Sequence, residues 1–297
     1  MAVNVKNITV GSATMSARFS GPEDGVPVLC LHGFPDTALS YRHQEAVFAA
    51  AGYRVIVPTL PGYEPGSLSE DGRYFLPDLA DMILAFLDQV APGQKVHIIG
   101  HDWGAYITFL CAIMAPDRFY CATQMAVPHP IRMREALKRV PKQILNSWYI
   151  FFFQLPRLPE WRIKRQNFSF LEWIWRKWSP GWAYEDEAMD DLKRAFSDDR
   201  VLDAALHYYR DTFDLKDERA QRNLDLSAQP NLVPTLGLAG ALDGCIDAQV
   251  FAQALQERDF PGGLKVDVID GCGHFLHQEL PDVINPILLE WLKKHEV

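Results

Sequence analysis

Short, almost wholly apolar runs alternate along this chain with segments whose apolar residues recur every three or four positions. The runs at 26–31, 53–58, 95–100 and 119–127 have the make-up of strands covered on both faces. Between them, 41–51 has helical spacing and stops at Gly52, and 103–114 reads as a helix ended by Ala115-Pro116. The segment 77–90 sets Leu79, Met82, Ile83, Phe86 and Leu87 on one helical face. The alternation resumes late, with strands at 235–239 and 264–269 and helices at 248–256 and 281–293. Such alternation requires right-handed crossovers, hence a mostly parallel central sheet flanked by helices. Two further strands, 5–10 and 13–19, joined by a turn at Gly11-Ser12, precede the alternating part. The predicted class is α/β.

One stretch interrupts the pattern. Residues 130–228 carry no strand signal and read as several short helices. The predicted organisation is therefore a core of 1–129 and 229–297, with 130–228 inserted as a helical cap, or lid. The insertion holds six of the eight tryptophans: Trp148, Trp161, Trp173, Trp175, Trp178 and Trp182. Its first part, 130–178, has eleven Lys/Arg and three Asp/Glu, a local excess of 11 − 3 = +8. A solvated face, with long basic stems lying over apolar surface, accounts for that excess. Contact with a membrane or an anionic substrate is the other reading.

Composition sets the outer limits. The 297 residues include 29 Lys+Arg and 38 Asp+Glu, a formal charge of −9, and 48% are hydrophobic. These values exclude a chiefly disordered chain. The acidic balance argues against nucleic-acid binding, which needs a basic face. No apolar run approaches the roughly 18 residues of a bilayer span. The start, Met1-Ala2-Val3-Asn4-Val5-Lys6, lacks the basic-then-apolar pattern of a signal peptide. The five scattered cysteines, Cys30, Cys111, Cys121, Cys245 and Cys272, form neither a disulfide framework nor a metal-ligand spacing. A reduced, cytoplasmic location is expected, with no metal or cofactor.

The chemistry concentrates at Gly100-His101-Asp102-Trp103-Gly104, which follows an expected buried strand and opens an expected helix. Strand–turn–helix junctions of the form G-x-S-x-G carry nucleophiles; here Asp102 stands in place of Ser. The glycines permit a sharp reversal, and a helix N-terminus favours negative charge. A plain helix N-cap is the structural alternative for Asp102. A carboxylate nucleophile makes no useful acyl-enzyme from an ester. It does displace a leaving group from an sp³ carbon, becoming an alkyl ester itself. Freeing it takes water, a general base and an oxyanion hole. The chain offers each. His274, in Gly271-Cys272-Gly273-His274-Phe275, is the candidate base, and Asp243, just after strand 235–239, the candidate to orient it. The other place for that acid, Ala126-Val127-Pro128-His129, has no carboxylate. The turn Leu31-His32-Gly33-Phe34-Pro35 supplies the Phe34 N–H which, with that of Trp103, makes the candidate oxyanion hole. His32, His43, His97 and His101 read as packed or hydrogen-bonded, and His277 is the rival base.

On the His32-Gly33-Phe34-Pro35 turn, the Asp102 elbow, Asp243 and His274, the sequence resembles the α/β-hydrolase superfamily, and within it the epoxide hydrolases of the microsomal/soluble type. The run Ala51-Gly52-Tyr53-Arg54-Val55-Ile56-Val57-Pro58 with Gly62-Tyr63 adds to a likeness that covers nearly the whole chain. Gly62-Tyr63-Glu64-Pro65-Gly66-Ser67 departs from it, since many members have a shorter Gly-Tyr-Gly-x-Ser turn. The resemblance implies an α/β-hydrolase fold and the opening of an apolar epoxide to a vicinal diol. An epoxide leaves as an alkoxide, which O–H donors must hold, and in this family two cap tyrosines do so. Tyr149, in Ser147-Trp148-Tyr149-Ile150-Phe151-Phe152-Phe153-Gln154-Leu155-Pro156, matches the first. Tyr209, in Leu206-His207-Tyr208-Tyr209-Arg210, matches the second, with Tyr208 and Tyr184 as spares. Phe34, Trp103, Trp148 and Phe275 are the expected substrate contacts. The expected partners are a small apolar epoxide and water, with a homodimer left open.

A haloalkane dehalogenase shares the Asp–His–Asp triad and is the competing reading. It binds halide through N–H donors; Trp103 offers one and a cap tryptophan another. Against it, Phe34 occupies the position where an Asn would serve, and two matched tyrosines are superfluous to a halide. A serine esterase is disfavoured by Asp102 itself.

Overall fold

The computed structural model describes residues 3–296. Its strands are β1 (Asn4–Val10), β2 (Ala13–Ser20), β3 (Pro27–Leu31), β4 (Arg54–Pro58), β5 (Val96–His101), β6 (Phe119–Met125), β7 (Thr235–Gly240) and β8 (Leu264–Ile269). They form one sheet in the order β1-β2-β4-β3-β5-β6-β7-β8. β2 runs antiparallel to β1 and β4, and every other pairing is parallel. The helices of the alternating part are α1 (Arg42–Ala50), α2 (Leu76–Val90) and α3 (Trp103–Met114). Between β6 and β7 lie α4 (Pro130–Leu137), α5 (Lys142–Asn146), α6 (Trp148–Phe153), α7 (Leu158–Trp178), α8 (Asp186–Ala195), α9 (Asp199–Thr212) and α10 (Glu218–Ser227). The chain closes with α11 (Ala248–Ala254), α12 (Leu276–Glu279) and α13 (Pro281–Lys294).

The apolar runs mark buried strands because successive side chains point to opposite faces and helices cover both. Leu29, Ile56 and Ile98 face α2 and α3 in a core with Ile83, Phe86 and Ile107. Their neighbours Val28, Val55 and Ile99 face the other way, in a second core with Phe48 of α1 and Ile284 and Leu288 of α13. Each such side chain, fully withdrawn from water, stabilises the fold by about 1.5–3 kcal/mol.

Where expectation and structure differ, the cause is local. The strand expected over 119–127 stops at Met125, because Ala126 adopts φ 65°. Val127 and Pro128 thereby leave the sheet edge and line the cavity described below. β5 runs one residue further than expected, so the turn after it is tighter. Between β6 and β7 the described residues are helical, with no strand. α7 is broken near its middle, where Gln166, Asn167 and Phe168 are left-handed, with φ of 54°, 52° and 61°. Among the described residues no helix is long and apolar enough to cross a membrane.

Candidate active site

β5 ends at His101 and α3 begins at Trp103, so Asp102 alone makes the reversal, at φ 52° and ψ −120°. A left-handed non-glycine residue costs on the order of 1–3 kcal/mol and persists only where its surroundings over-determine it. They do so here. A Cβ on Gly104 would stand 2.2 Å from the Leu31 carbonyl oxygen, and one on Gly33 would stand 2.4 Å from the Asp102 Cβ. The glycines therefore serve close approach between the elbow and the turn after β3, while the unusual dihedral falls on Asp102 itself. The Asp102 side chain makes no capping hydrogen bond to its own helix, which removes the N-cap alternative.

Its carboxylate is instead divided between two partners. Oδ1 accepts the Phe34 backbone N–H at 2.7 Å, and Oδ2 lies 3.5 Å from His274 Nε2. On the far side of the imidazole, Nδ1 is 2.9 Å from Asp243 Oδ2. Asp243 Oδ1 accepts the N–H groups of Cys245 at 2.7 Å and Ile246 at 2.9 Å. A proton on Nδ1 toward Asp243 leaves Nε2 facing Asp102. The loops carrying acid and base are tied to one another through the helical segment, since the Trp178 carbonyl accepts N–H groups from both Gly244 and His274 at 3.0 Å. His101 Nε2 lies 2.9 Å from the His274 carbonyl oxygen and donates to it.

The electrostatics follow from burial and charge. Burial alone would depress His274, but the neighbouring Asp243, Cys245 and Asp102 outweigh it and hold the imidazole well above its ordinary value. Burial pushes Asp102 up, and the His274 imidazole 3.5 Å away, together with His101 and the Phe34 N–H, overcomes that and holds the carboxyl below its ordinary value. Asp102 is thus an anion beside an imidazole that it helps to keep protonated. His277, the rival base, is buried 4.7 Å from the His101 ring, with both ring nitrogens unpartnered and its pKa driven far down by burial. His32 takes the bland role assigned to it: Nε2 accepts the Leu60 N–H at 3.0 Å, and burial lowers it to about 4.

Above the carboxylate is a cavity of about 420 Å³, lined by Asp102, Trp103, Tyr149 and Tyr209 among others. Tyr149 comes from α6 and Tyr209 from α9, and their rings stand 5.8 Å apart. The Tyr149 hydroxyl lies 3.2 Å from Cys245 Sγ, while that of Tyr209 is buried without a hydrogen-bond partner. Burial raises both phenols well above 10, so both stay protonated and able to donate. The spares are otherwise engaged. Tyr208 donates to the Pro61 carbonyl at 2.6 Å, and Tyr184 packs against Trp175 and Trp182.

The four expected substrate contacts divide. Trp103 lines the cavity. Phe34 is packed among Phe153, Phe196 and Tyr209, and contributes its N–H to Asp102. Trp148 and Phe275 are not among the lining residues. Trp148 packs on Phe170 and Trp173, and Phe275 on Trp175, Trp178 and Trp182. Much of the wall comes instead from residues outside the motifs, including Met133, Ile144, Leu224 and Ile246. Two groups of ligand-capable side chains lie here, Asp243–Cys245–His274 and Asp36–His101–His277. The first is the triad itself with its thiol neighbour. In the second, Asp36 accepts the Thr37 N–H at 2.8 Å and the Gln278 amide at 2.6 Å.

Fold and site together define a hydrolase of the α/β class with a carboxylate at the elbow. The chain matches the profile of the Alpha/beta hydrolase family over residues 28–287, and it belongs to that family. It is 28% identical to the AB hydrolase superfamily protein YfhM of Bacillus subtilis over 98% of both chains. It is also 28% identical to epoxide hydrolase A of Mycobacterium tuberculosis over 91% of both. A solved structure of a laboratory-evolved variant of the potato epoxide hydrolase StEH1 is similar at a TM-score of 0.82, covering 99% of this chain and 100% of that one. At 23% identity, that likeness is one of fold.

Proposed function

We propose that the protein is an epoxide hydrolase that opens apolar epoxides to vicinal diols through an ester of Asp102, with 130–228 as its cap. The observation that carries this reading is the pair of protonated phenols, Tyr149 and Tyr209, lining one cavity with a carboxylate nucleophile. Asp102 Oδ2 attacks an epoxide carbon, and the carbon–oxygen bond breaks. The departing oxygen takes a proton from a tyrosine hydroxyl. Forming the ester removes the Asp102 charge, one of the groups that hold the His274 proton, and that proton passes to the tyrosinate that the ring opening left behind. Neutral His274 then takes a proton at Nε2 from a water that attacks the Asp102 carbonyl carbon. Negative charge gathers on Oδ1, where the Phe34 N–H already stands and the Trp103 N–H joins it. Losing one such donor typically costs roughly 10²–10³ in rate. Collapse breaks the bond from the Asp102 carbonyl carbon to Oδ2, which departs as a diol oxygen with the proton of the added hydroxyl, so Asp102 is again a carboxylate beside a protonated His274.

The dehalogenase reading has one observation in its favour, the Trp103 indole N–H, which is buried without a partner. Its second donor is lacking at Trp175, whose N–H is committed to the Pro35 carbonyl at 2.9 Å. Incubation with styrene oxide and with 1-bromobutane separates the two, and bromide without diol would overturn the proposal. In His274→Gln, a single turnover should leave the peptide holding Asp102 heavier by the mass of the epoxide. An unmodified peptide, with substrate bound, rejects the ester.

A further inference from the structure

The cavity over Asp102 opens through an apolar rim. Ile144, Phe151 and Phe213 line the cavity and are also exposed, by 54%, 68% and 48%. Leu145, next to Ile144 in sequence, and Leu215, two residues from Phe213, are exposed by 74% and 51%. Apolar residues scattered singly over a surface need no explanation, but a group gathered at one mouth marks an interaction face. Cations flank it. Lys138, Arg139, Lys142, Arg157 and Lys216 are exposed, and among the described residues none of them is in an ion pair. Glu135, Glu160, Asp214 and Asp217, acids of the same stretches, are taken up by Arg132, Arg210, Arg73 and Arg219. Glu218 is an exposed acid among them. In a chain of net charge −9, this face stands apart in sign.

We propose that this rim docks on an anionic lipid surface, with Phe151, Leu145, Ile144, Phe213 and Leu215 entering the boundary between headgroups and acyl chains. Each unpaired Lys or Arg near such a surface is attracted to it, and short amphipathic helices lie in that boundary without spanning the bilayer. A second copy of the chain fits less well, because two rims face to face would set unpaired cations against each other. The rim is continuous with the cavity, so an apolar epoxide dissolved in lipid reaches Asp102 without crossing water. That last step rests on the proposed activity; the docking does not.

Flotation of the 297-residue protein with phosphatidylcholine vesicles, with and without phosphatidylglycerol, tests the docking without any substrate. Binding is expected only with phosphatidylglycerol, and it should weaken as salt rises. Lys138→Gln, Arg139→Gln and Lys142→Gln together should lower partitioning roughly a hundredfold, at about fivefold per charge. Leu145→Ser with Leu215→Ser should also weaken it. Neither set should change hydrolysis of a water-soluble epoxide. Protein left in the dense fraction with both vesicle types overturns the proposal. So does a dimer that Leu145→Ser with Leu215→Ser dissolves, which would give the rim to a second copy. Vesicle binding without epoxide turnover would sink the proposed activity and leave the docking standing; turnover without vesicle binding does the reverse.

Discussion

The floor of the cavity and its roof are held in place by different means. On the floor, main chain does the positioning. The Phe34 N–H fixes one oxygen of Asp102, the Cys245 and Ile246 N–H groups fix Asp243, and the Trp178 carbonyl ties both triad loops together. In the roof, side chains position one another: Tyr209 lies among Trp103, Phe34, Phe153 and Tyr149, at ring separations of 4.8–5.8 Å. Main-chain groups on strand ends allow little variation, because a shift of one atom breaks a ladder. A wall of packed rings accepts other rings of similar size. The chemistry is thus fixed below, and what the cavity admits is set above.

This contrast is open to attack from both sides. The largest effect belongs to Asp102→Ala, which should lower turnover by about 10⁴ or more; retained turnover removes the floor from the chemistry. Gly104→Ala comes next. Its Cβ would meet the backbone of Leu31 and His32 at 2.2–2.4 Å, so it should lower stability by about 3 kcal/mol or more, measured by denaturant unfolding. Wild-type unfolding would show that the elbow has room to move. Tyr209→Phe should slow epoxide opening by about 10–100-fold, a share of what general acids supply, without loss of stability, since its hydroxyl has no partner to lose. Tyr208→Phe should do the opposite. It leaves the Pro61 carbonyl bond unmade, at about 1 kcal/mol, with the rate nearly unchanged. Equal rate losses in the two variants would erase the distinction drawn between neighbours on one helix.

The smallest effect is in the response to acid. Burial holds His32, His97 and His129 at about 4, His101 at about 3, and His277 well below 6.5. These values lie below those of the unfolded chain, at about 6.5, so the unfolded state takes up protons first as pH falls, and stability drops. Groups raised by the fold, Asp36 and His274 among them, work against this. Asp36, raised by burial to about 7, gains stability for the fold as pH falls below that value. His274, also raised, contributes fully below about 6.5 and loses its contribution as pH climbs through its folded value. With the lowered histidines outnumbering the raised groups, the thermal midpoint should fall between pH 7 and pH 5, followed by circular dichroism. A rise would mean that the buried histidines accept protons without opening the fold.

The same division decides what could be read from the sequence. Both faces of the central strands are covered, so their apolar runs were plain, and helix α3 was legible to the residue. The order of the strands was not, since nothing in a run of valines says which neighbour it pairs with. Asp102, His274 and Asp243 were visible because each sits where a strand ends, and local sequence determines what happens there. Trp148 and Phe275, expected as substrate contacts, are not among the residues lining the cavity, and for Trp148 the reason is geometric. Successive residues of a helix point about 100° apart, so the face that turns Tyr149 toward the cavity turns Trp148 away. The aliphatic walls left no mark at all, because an Ile facing a cavity and an Ile facing a core look alike in a sequence.

The unequal treatment of the two Asp102 oxygens has a consequence for where atoms go. On the proposed ester route, with Oδ1 kept on the Phe34 N–H throughout, every cycle would spend the same oxygen, Oδ2, which would depart inside the product and be replaced from solvent. One atom of the side chain is then renewed at each turnover, while its twin, an atom away, is as old as the polypeptide. Protein that has worked for many cycles in heavy-oxygen water should carry a single heavy atom at Asp102, and never two.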